Sequence, residues 1–159
     1  MKASDLFVKC LEEEGVSRIF GVPGEENADF MISLKKSKKI EFILCRHEQA
    51  AAFMADAYGR LTGKAGVCLS TLGPGVTNLM TGLADANMDR SPVVAIIGQG
   101  STNRLHKESH QIMDSISMVH PISKWAQTIL SSKNITEVIR KAFKVAETEK
   151  PGVTVIEFP

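Results

Sequence analysis

The sequence lacks several features that would assign a function by themselves. Its 159 residues carry 19 basic and 18 acidic side chains, so net charge does not favour nucleic acid or an anionic membrane. Lys2, Asp5 and Lys9 interrupt any N-terminal signal segment, and no apolar run is long enough to span a bilayer. The three cysteines form no Cys-x-x-Cys pair, which argues against zinc and favours a reducing compartment. We therefore expect a cytoplasmic protein with no nucleic-acid or membrane partner.

Common phosphate-binding and metal-binding motifs are also missing. No Gly-x-Gly-x-x-Gly follows a strand-like segment, so a dinucleotide fingerprint is absent. Residues 59–64 are similar to a P-loop but lack one spacer, and Ala65 stands where that motif has Ser or Thr. His106 and His110 are four residues apart without an evident third ligand, so solvent-exposed histidines are favoured over a metal site.

What the sequence does contain is a regular alternation of strand and helix patterns. The predicted strands are continuously apolar, which is typical of a parallel sheet covered on both faces. We predict an α/β fold in one domain, residues 1–159: a three-layer α/β/α arrangement with a mostly parallel, about six-stranded sheet. Ser4 is expected to cap the first helix and Gly15 to end it, and residues 99–118 are expected to be irregular. Predicted strands cover 18–22, 40–45, 66–71, 92–98, 124–129 and 152–158, and helices 4–14, 25–34, 47–62, 75–88 and 134–147.

Candidate site residues follow three of these strands, at the edge of the sheet where α/β proteins bind ligands. Glu48 begins a helix and is followed by Ala50, Ala51 and Ala52. The pattern alone favours a carboxylate that stabilises a helix N-terminus through the macrodipole. The other two turns are rich in Gly and Pro, which favours either simple turns or a close approach of the backbone to a ligand. They contain Val22, Pro23 and Gly24 after the first strand, and Gly73, Pro74 and Gly75 with Asn78 after the third.

Taken in order, these motifs resemble the pyrimidine-binding domain of thiamine-diphosphate enzymes. Residues 110–114 and 121–124 resemble the acetolactate synthase branch of that family. The resemblance implies that Glu48 hydrogen-bonds N1′ of the aminopyrimidine and favours the imino tautomer, whose nitrogen takes the proton from thiazolium C2. That role requires a protonated carboxyl group, and apolar neighbours such as Ala50, Ala51 and Phe53 would favour it.

The resemblance also assigns the remaining candidates. The backbone of Val22, Pro23 and Gly24 is placed beside the pyrimidine ring, although many synthases have an aromatic residue where this chain has Val22. The turn of Gly73, Pro74 and Gly75 is placed on the same ring together with Asn78. Gln111 reaches the active site and hydrogen-bonds cofactor or substrate, and His110-Gln111 favours carboligation over simple decarboxylation.

The family's diphosphate domain carries a Gly-Asp-Gly motif and a downstream Asn that bind the metal, and neither occurs in residues 1–159. We therefore expect the central and C-terminal diphosphate-binding domains to be absent and this piece to be inactive alone. The resemblance implies a parent acetolactate synthase of branched-chain amino acid biosynthesis, which joins pyruvate to a second 2-oxo acid on thiamine diphosphate. It further implies Mg²⁺ on the missing domain, room for FAD, a homodimer or homotetramer, and a regulatory subunit. The alternatives are another thiamine-diphosphate 2-oxo acid decarboxylase or acetyltransferase, or a free-standing binding domain without catalysis.

Overall fold

The computed structural model of this chain describes residues 1–105, 107 and 109–159. It is an α/β domain whose helices and strands alternate as the apolar patterns predict. Three short 3-10 helices cover Glu25–Asn27, His120–Ile122 and Ser132–Asn134. The strands are β1 (Arg18–Val22), β2 (Glu41–Leu44), β3 (Gly66–Ser70), β4 (Val93–Gly98), β5 (Trp125–Thr128) and β6 (Val153–Phe158). The helices are α1 (Ala3–Glu13), α2 (Ala28–Leu34), α3 (Glu48–Thr62), α4 (Pro74–Met88), α5 (Ser115–Val119) and α6 (Ile135–Glu147).

The six strands form one sheet in the order β2-β1-β3-β4-β6-β5, and every neighbouring pair is parallel. The predicted three-layer fold with a parallel, six-stranded sheet is therefore confirmed. The chain leaves β1 for β2 on one side and then returns to β3 on the other side. This reversal creates a switch point between the carboxyl ends of β1 and β3, where open α/β sheets bind their ligands.

Two apolar clusters cover the two faces of the sheet. One cluster packs α1, α2 and α6 on one face, with Phe7, Phe30 and Ile139 among its fully buried side chains. The other packs α3 and α4 on the opposite face. Strands β3 and β4 are buried along their whole length, because both of their faces meet helices.

Helix α3, which begins at Glu48, is set by local sequence at both ends. The Nδ1 atom of His47 accepts a hydrogen bond from the Gln49 N–H at 3.1 Å, so His47 caps the helix. Gly63 ends it in a left-handed conformation with φ of 69°. Alanine-rich turns between these ends let α3 lie close to β3: a Cβ atom at Gly66 would lie 2.0 Å from the Ala55 carbonyl oxygen. The middle of α3 is therefore packed directly on β3.

Two local predictions were wrong. Ser4 does not cap α1, because the helix begins at Ala3 and the Ser4 hydroxyl is hydrogen-bonded with Ser33 Oγ at 2.9 Å. The stretch expected to be irregular contains the start of α5, which Asp114 caps by accepting a hydrogen bond from the Ser117 N–H at 3.0 Å. The helix expected over 25–34 begins with a 3-10 turn before α2.

Candidate active site

The candidate site lies at the carboxyl edge of the sheet, where the chain leaves β1, β2 and β3. The turn after β1 is tied to the end of β3 by Asn27, a buried side chain. Asn27 Oδ1 accepts from the Gly24 N–H at 2.8 Å, and its Nδ2 donates to the Ser70 carbonyl at 3.1 Å. The two strand ends that flank the switch point are therefore held together by one amide side chain. Sequence reasoning missed Asn27, although a side chain three residues after a helix cap residue can accept a hydrogen bond from its N–H, as in a capping box.

Glu48 is buried although it opens a helix: only 8 % of its surface is exposed. Its Oε2 atom accepts a hydrogen bond from Asn78 Nδ2 on α4 at 3.0 Å. In the described part of the chain, no hydrogen bond reaches Oε1, which points to Gly75. A Cβ atom added at Gly75 would lie 3.4 Å from it. One oxygen of the carboxyl group is thus anchored and the other faces the glycine turn.

The glycines of the site are positions where no Cβ atom has room. A Cβ at Gly24 would lie 2.5 Å from Thr71 Oγ1, and one at Gly75 would lie 3.0 Å from Thr71 Cγ2. Thr71 therefore fills the space between the turn after β1 and the turn before α4. It is a further residue that the sequence did not single out, because only the folded chain brings both glycines to it.

The turn before α4 has the geometry that requires glycine at its first central position. The Gly75 N–H donates to the Leu72 carbonyl at 3.2 Å, and Gly73 has φ of 56° and ψ of −112°. Pro74 follows as the first residue of α4, where its missing N–H costs no helical hydrogen bond. The predicted tight turn at a helix N-terminus is confirmed.

Gln111 lies against this turn through its backbone. A Cβ at Gly73 would lie 2.5 Å from the Gln111 carbonyl oxygen and 3.0 Å from its Cβ. Gln111 is exposed and has φ of 59°, a left-handed conformation that is uncommon outside glycine. The structure thus brings Gln111 to the same edge as Gly73, Gly75 and Glu48.

The apolar setting predicted for Glu48 is only partly present. Ala51 is fully buried and Ala50 is half-buried, but Phe53 is 37 % exposed on the outer face of α3. Ala51 therefore supplies more of an apolar setting than Phe53 does, and the contribution of Phe53 stays a prediction.

A second buried acid lies at the same edge, at the end of β6. Glu157 is 4 % exposed, and burial raises the pKa of its carboxyl group above the ordinary value for Glu. Thr128 Oγ1 donates to Glu157 Oε2 at 2.7 Å, and Gln99 Nε2 donates to Oε1 at 3.0 Å. These groups line a cavity of about 630 Å³ together with Lys107, Ile112, Asp114 and other residues of the same loop.

The histidine pair gives no metal site that can be described. His110 is exposed, whereas His106 lies outside the described residues. Among the described residues, no group of three His, Cys, Asp or Glu side chains is arranged to hold a metal ion. Within the same residues, no helix is long and apolar enough to cross a membrane.

A parallel sheet with a buried acid and a glycine turn beside its switch point has the arrangement that open α/β domains use to bind ligands. Residues 1–118 match the family model of the thiamine pyrophosphate enzyme, N-terminal TPP binding domain, and the chain belongs to that family. The resemblance drawn from the motifs is confirmed.

Among curated proteins, the chain is similar to acetolactate synthases along its whole length. It is 42 % identical to acetolactate synthase of Bacillus subtilis over 158 residues, which is 99 % of this chain and 28 % of that protein. It is 44 % identical to the probable acetolactate synthase large subunit of Methanocaldococcus jannaschii, covering 100 % of this chain and 27 % of that one. The catabolic acetolactate synthase of Raoultella terrigena is also 44 % identical, with 98 % and 28 % covered. The chain thus spans about a quarter of the length of these relatives.

Proposed function

We propose that this chain forms the pyrimidine side of the thiamine-diphosphate site in a longer acetolactate synthase. The observation that carries the proposal is the buried Glu48 carboxyl group at the switch point of the sheet. Its partner Asn78 and the glycine turn beside it match what an aromatic nitrogen heterocycle needs: a flat space and one hydrogen-bonding acid. The homology to acetolactate synthases supports the choice of reaction.

The residues present fit a flat ring because Gly75 has no side chain in the space where the ring would lie. A side chain at Gly75 would come within 3.4 Å of Glu48 Oε1 and occupy that space. In the proposal, Asn78 fixes the orientation of the carboxyl group through Oε2, and Oε1 holds a proton against a ring nitrogen. Val22, Pro23 and Gly24 form the opposite wall of the site, and Pro74 completes the glycine turn.

Thiamine diphosphate, when bound, would supply a nucleophilic carbon for chemistry on the keto group of a 2-oxo acid. Glu48 acts as the general acid–base group that moves the proton on the pyrimidine side. Gln111 donates or accepts a hydrogen bond at the substrate, for which pyruvate and a second 2-oxo acid are proposed. Mg²⁺, the diphosphate group and any FAD are assigned to the remainder of the longer protein.

The proposal extends to assembly and compartment. Leu44, Phe53 and Met54 are 70 %, 37 % and 44 % exposed at β2 and α3, more apolar surface than a solvated edge requires. We assign this surface to a homodimer or homotetramer, and a regulatory subunit is part of the same proposal. The three cysteines are free, which favours a reducing compartment such as the cytoplasm.

The test is acetolactate formation from pyruvate by the full-length enzyme, with Glu48→Gln as the variant. Gln keeps the shape and can accept from Asn78, but it cannot exchange a proton as an acid. We expect kcat to fall by about 10²–10⁴, with hydrogen–deuterium exchange at thiazolium C2 slowed in step.

The matched control is Glu137→Gln, the same change in the first turn of α6, where the side chain is exposed. It should leave both rates unchanged. Equal C2 exchange in wild type and Glu48→Gln would refute the assignment of Glu48. Acetaldehyde in place of acetolactate would identify a decarboxylase, and residues 1–159 alone are expected to form neither product.

A further inference from the structure

The loop that carries Gln111 is fastened to the sheet by a buried amide. Gln99, at the end of β4, is 3 % exposed, and its Nε2 group donates to the Met113 carbonyl at 2.9 Å. The Gly100 N–H donates to Gln99 Oε1 at 2.9 Å, which fixes which way the amide faces. Met113 lies two positions after Gln111 in the sequence, so the Gln99 amide holds one end of the segment that positions Gln111.

The second N–H of the same amide is held by Glu157. Gln99 Nε2 lies 3.0 Å from Glu157 Oε1, and Thr128 Oγ1 donates to Glu157 Oε2 at 2.7 Å. Both oxygens of the buried carboxyl group therefore accept hydrogen bonds, and both N–H groups of Gln99 are used. This series of hydrogen bonds runs across three neighbouring strands, from β5 through β6 to β4, and ends at the Met113 carbonyl on the loop of Gln111.

Two glycines let the same segment pack closely against the ends of β3 and β4. A Cβ at Gly100 would lie 2.6 Å from Ile112 Cδ1, and one at Gly73 would lie 2.5 Å from the Gln111 carbonyl oxygen. Residues 111–113 are thus pressed against two strand ends while Gln99 holds the Met113 carbonyl. The backbone of Gln111 is therefore held in place although its side chain is exposed, and no local sequence pattern predicts this order.

We propose that the hydrogen-bonded series Thr128–Glu157–Gln99 positions Gln111 for the reaction. Glu157 and Gln99 act through the backbone of Met113 and need not touch substrate or cofactor. The inference rests on the proposed function, because it assigns Gln111 to substrate. Misplacing a group of this kind by about 1 Å can cost up to about 10²-fold in rate.

The first arm of the test uses the chain of residues 1–159 and hydrogen exchange of the amides in residues 109–118. Gln99→Met keeps the shape of the side chain and removes its hydrogen bonds. We expect exchange in this segment to accelerate roughly fivefold, since about 1 kcal/mol of hydrogen bonding is lost. Thr128→Val is a milder variant for the case in which Gln99→Met does not fold, and it should give a smaller acceleration.

Thr154→Val is the matched control. Thr154 is a fully buried threonine on β6 whose hydroxyl donates to the Ala142 carbonyl at 3.1 Å, on the face covered by α6. It should destabilise the domain without changing exchange in residues 109–118 selectively. Glu157→Gln should leave exchange in residues 109–118 at the wild-type rate, because its amide oxygen can accept from Gln99 while its NH₂ donates to Thr128 Oγ1.

The second arm is a double-mutant cycle in the full-length enzyme. Thr128→Val and Gln99→Met should lower kcat/KM by about 10- to 100-fold in the wild-type background. In a Gln111→Gly background, which suits the positive φ and has no side chain to position, each should lower it by less than about twofold. Thr154→Val should have the same small effect in both backgrounds.

The outcomes separate this inference from the proposed function. Equal losses with and without the Gln111 side chain would overturn the positioning role, as would unchanged exchange in residues 109–118 of folded Gln99→Met. If the wild-type enzyme forms no acetolactate, the proposed function fails, and the exchange arm still decides whether the hydrogen-bonded series holds the loop.

Discussion

Replacing Gly73 with alanine isolates the contact between the glycine turn and the loop of Gln111. At φ of 56° and ψ of −112°, alanine occupies a sparsely populated region that costs about 1–3 kcal/mol. The new Cβ atom would also lie 2.5 Å from the Gln111 carbonyl oxygen, well inside ordinary contact distance. Overpacking of this kind typically costs a further amount of about 1–3 kcal/mol. We therefore expect Gly73→Ala to lower the free energy of unfolding by about 2–6 kcal/mol.

Gly63→Ala is the control, because Gly63 has φ of 69° and a Cβ there would meet nothing within 4 Å. It measures conformational strain alone, about 1–2 kcal/mol. Urea unfolding of residues 1–159 gives both values, and thermal unfolding should separate the variants by about 2–4 °C per kcal/mol. Exchange of the amides in residues 109–118 should accelerate only in Gly73→Ala. If the two variants cost the same and the loop exchanges at wild-type rates, the steric reasoning is refuted.

Three further predictions concern buried polar groups. Asn27→Ala removes one buried and one partly buried hydrogen bond at the switch point and should lower the free energy of unfolding by about 1–3 kcal/mol in urea titrations. Burial raises the pKa of the Cys68 thiol to about 12, so an alkylating reagent should modify half-buried Cys10 in the native protein while Cys68 reacts only on unfolding, as peptide mass mapping would show. Burial also raises the pKa of Glu157, so its contribution to stability is present below pH of about 4 and is lost as pH rises. Glu157→Gln should therefore gain stability relative to wild type from pH 4 to pH 7. If the difference in free energy of unfolding between the two proteins does not change with pH, this reasoning is refuted.

The sequence predicted the layers and the strand positions because both depend on patterns that the chain carries locally. Strand β1 has the predicted bounds, Arg18–Val22, and α3 ends at Thr62 before Gly63, as the helix-stop pattern indicates. Continuous apolar runs are a strong signal in a buried parallel sheet, since both faces of β3 and β4 need apolar side chains. The order of the strands is not a local property, and it became known only from the structure.

The errors arose where a distant partner decides the outcome. Ser4 has the residue type of a helix cap, but its hydroxyl is buried against Ser33, 29 residues away in sequence. Helix α5 has only five residues, too few for a period of 3.6 to be recognised, although Asp114 three residues before Ser117 is a capping signal. Thr71 lies in the site, and Ser4 does not cap its helix, for the same reason: contacts between residues distant in sequence outweigh the local pattern.

Burial bears on the two interpretations of Glu48 that the sequence left open. A carboxylate that only favours a helix N-terminus contributes about 0.3–1 kcal/mol and gains it while exposed to water, as Glu137 does in the first turn of α6. Glu48 is instead withdrawn from water and receives one side-chain hydrogen bond, from Asn78. The dipole contribution is open to an exposed carboxylate, so it does not by itself explain why this side chain is buried beside Asn78 and the glycine turn. In the proposed function, a ring nitrogen of the cofactor is the second partner of this carboxyl group.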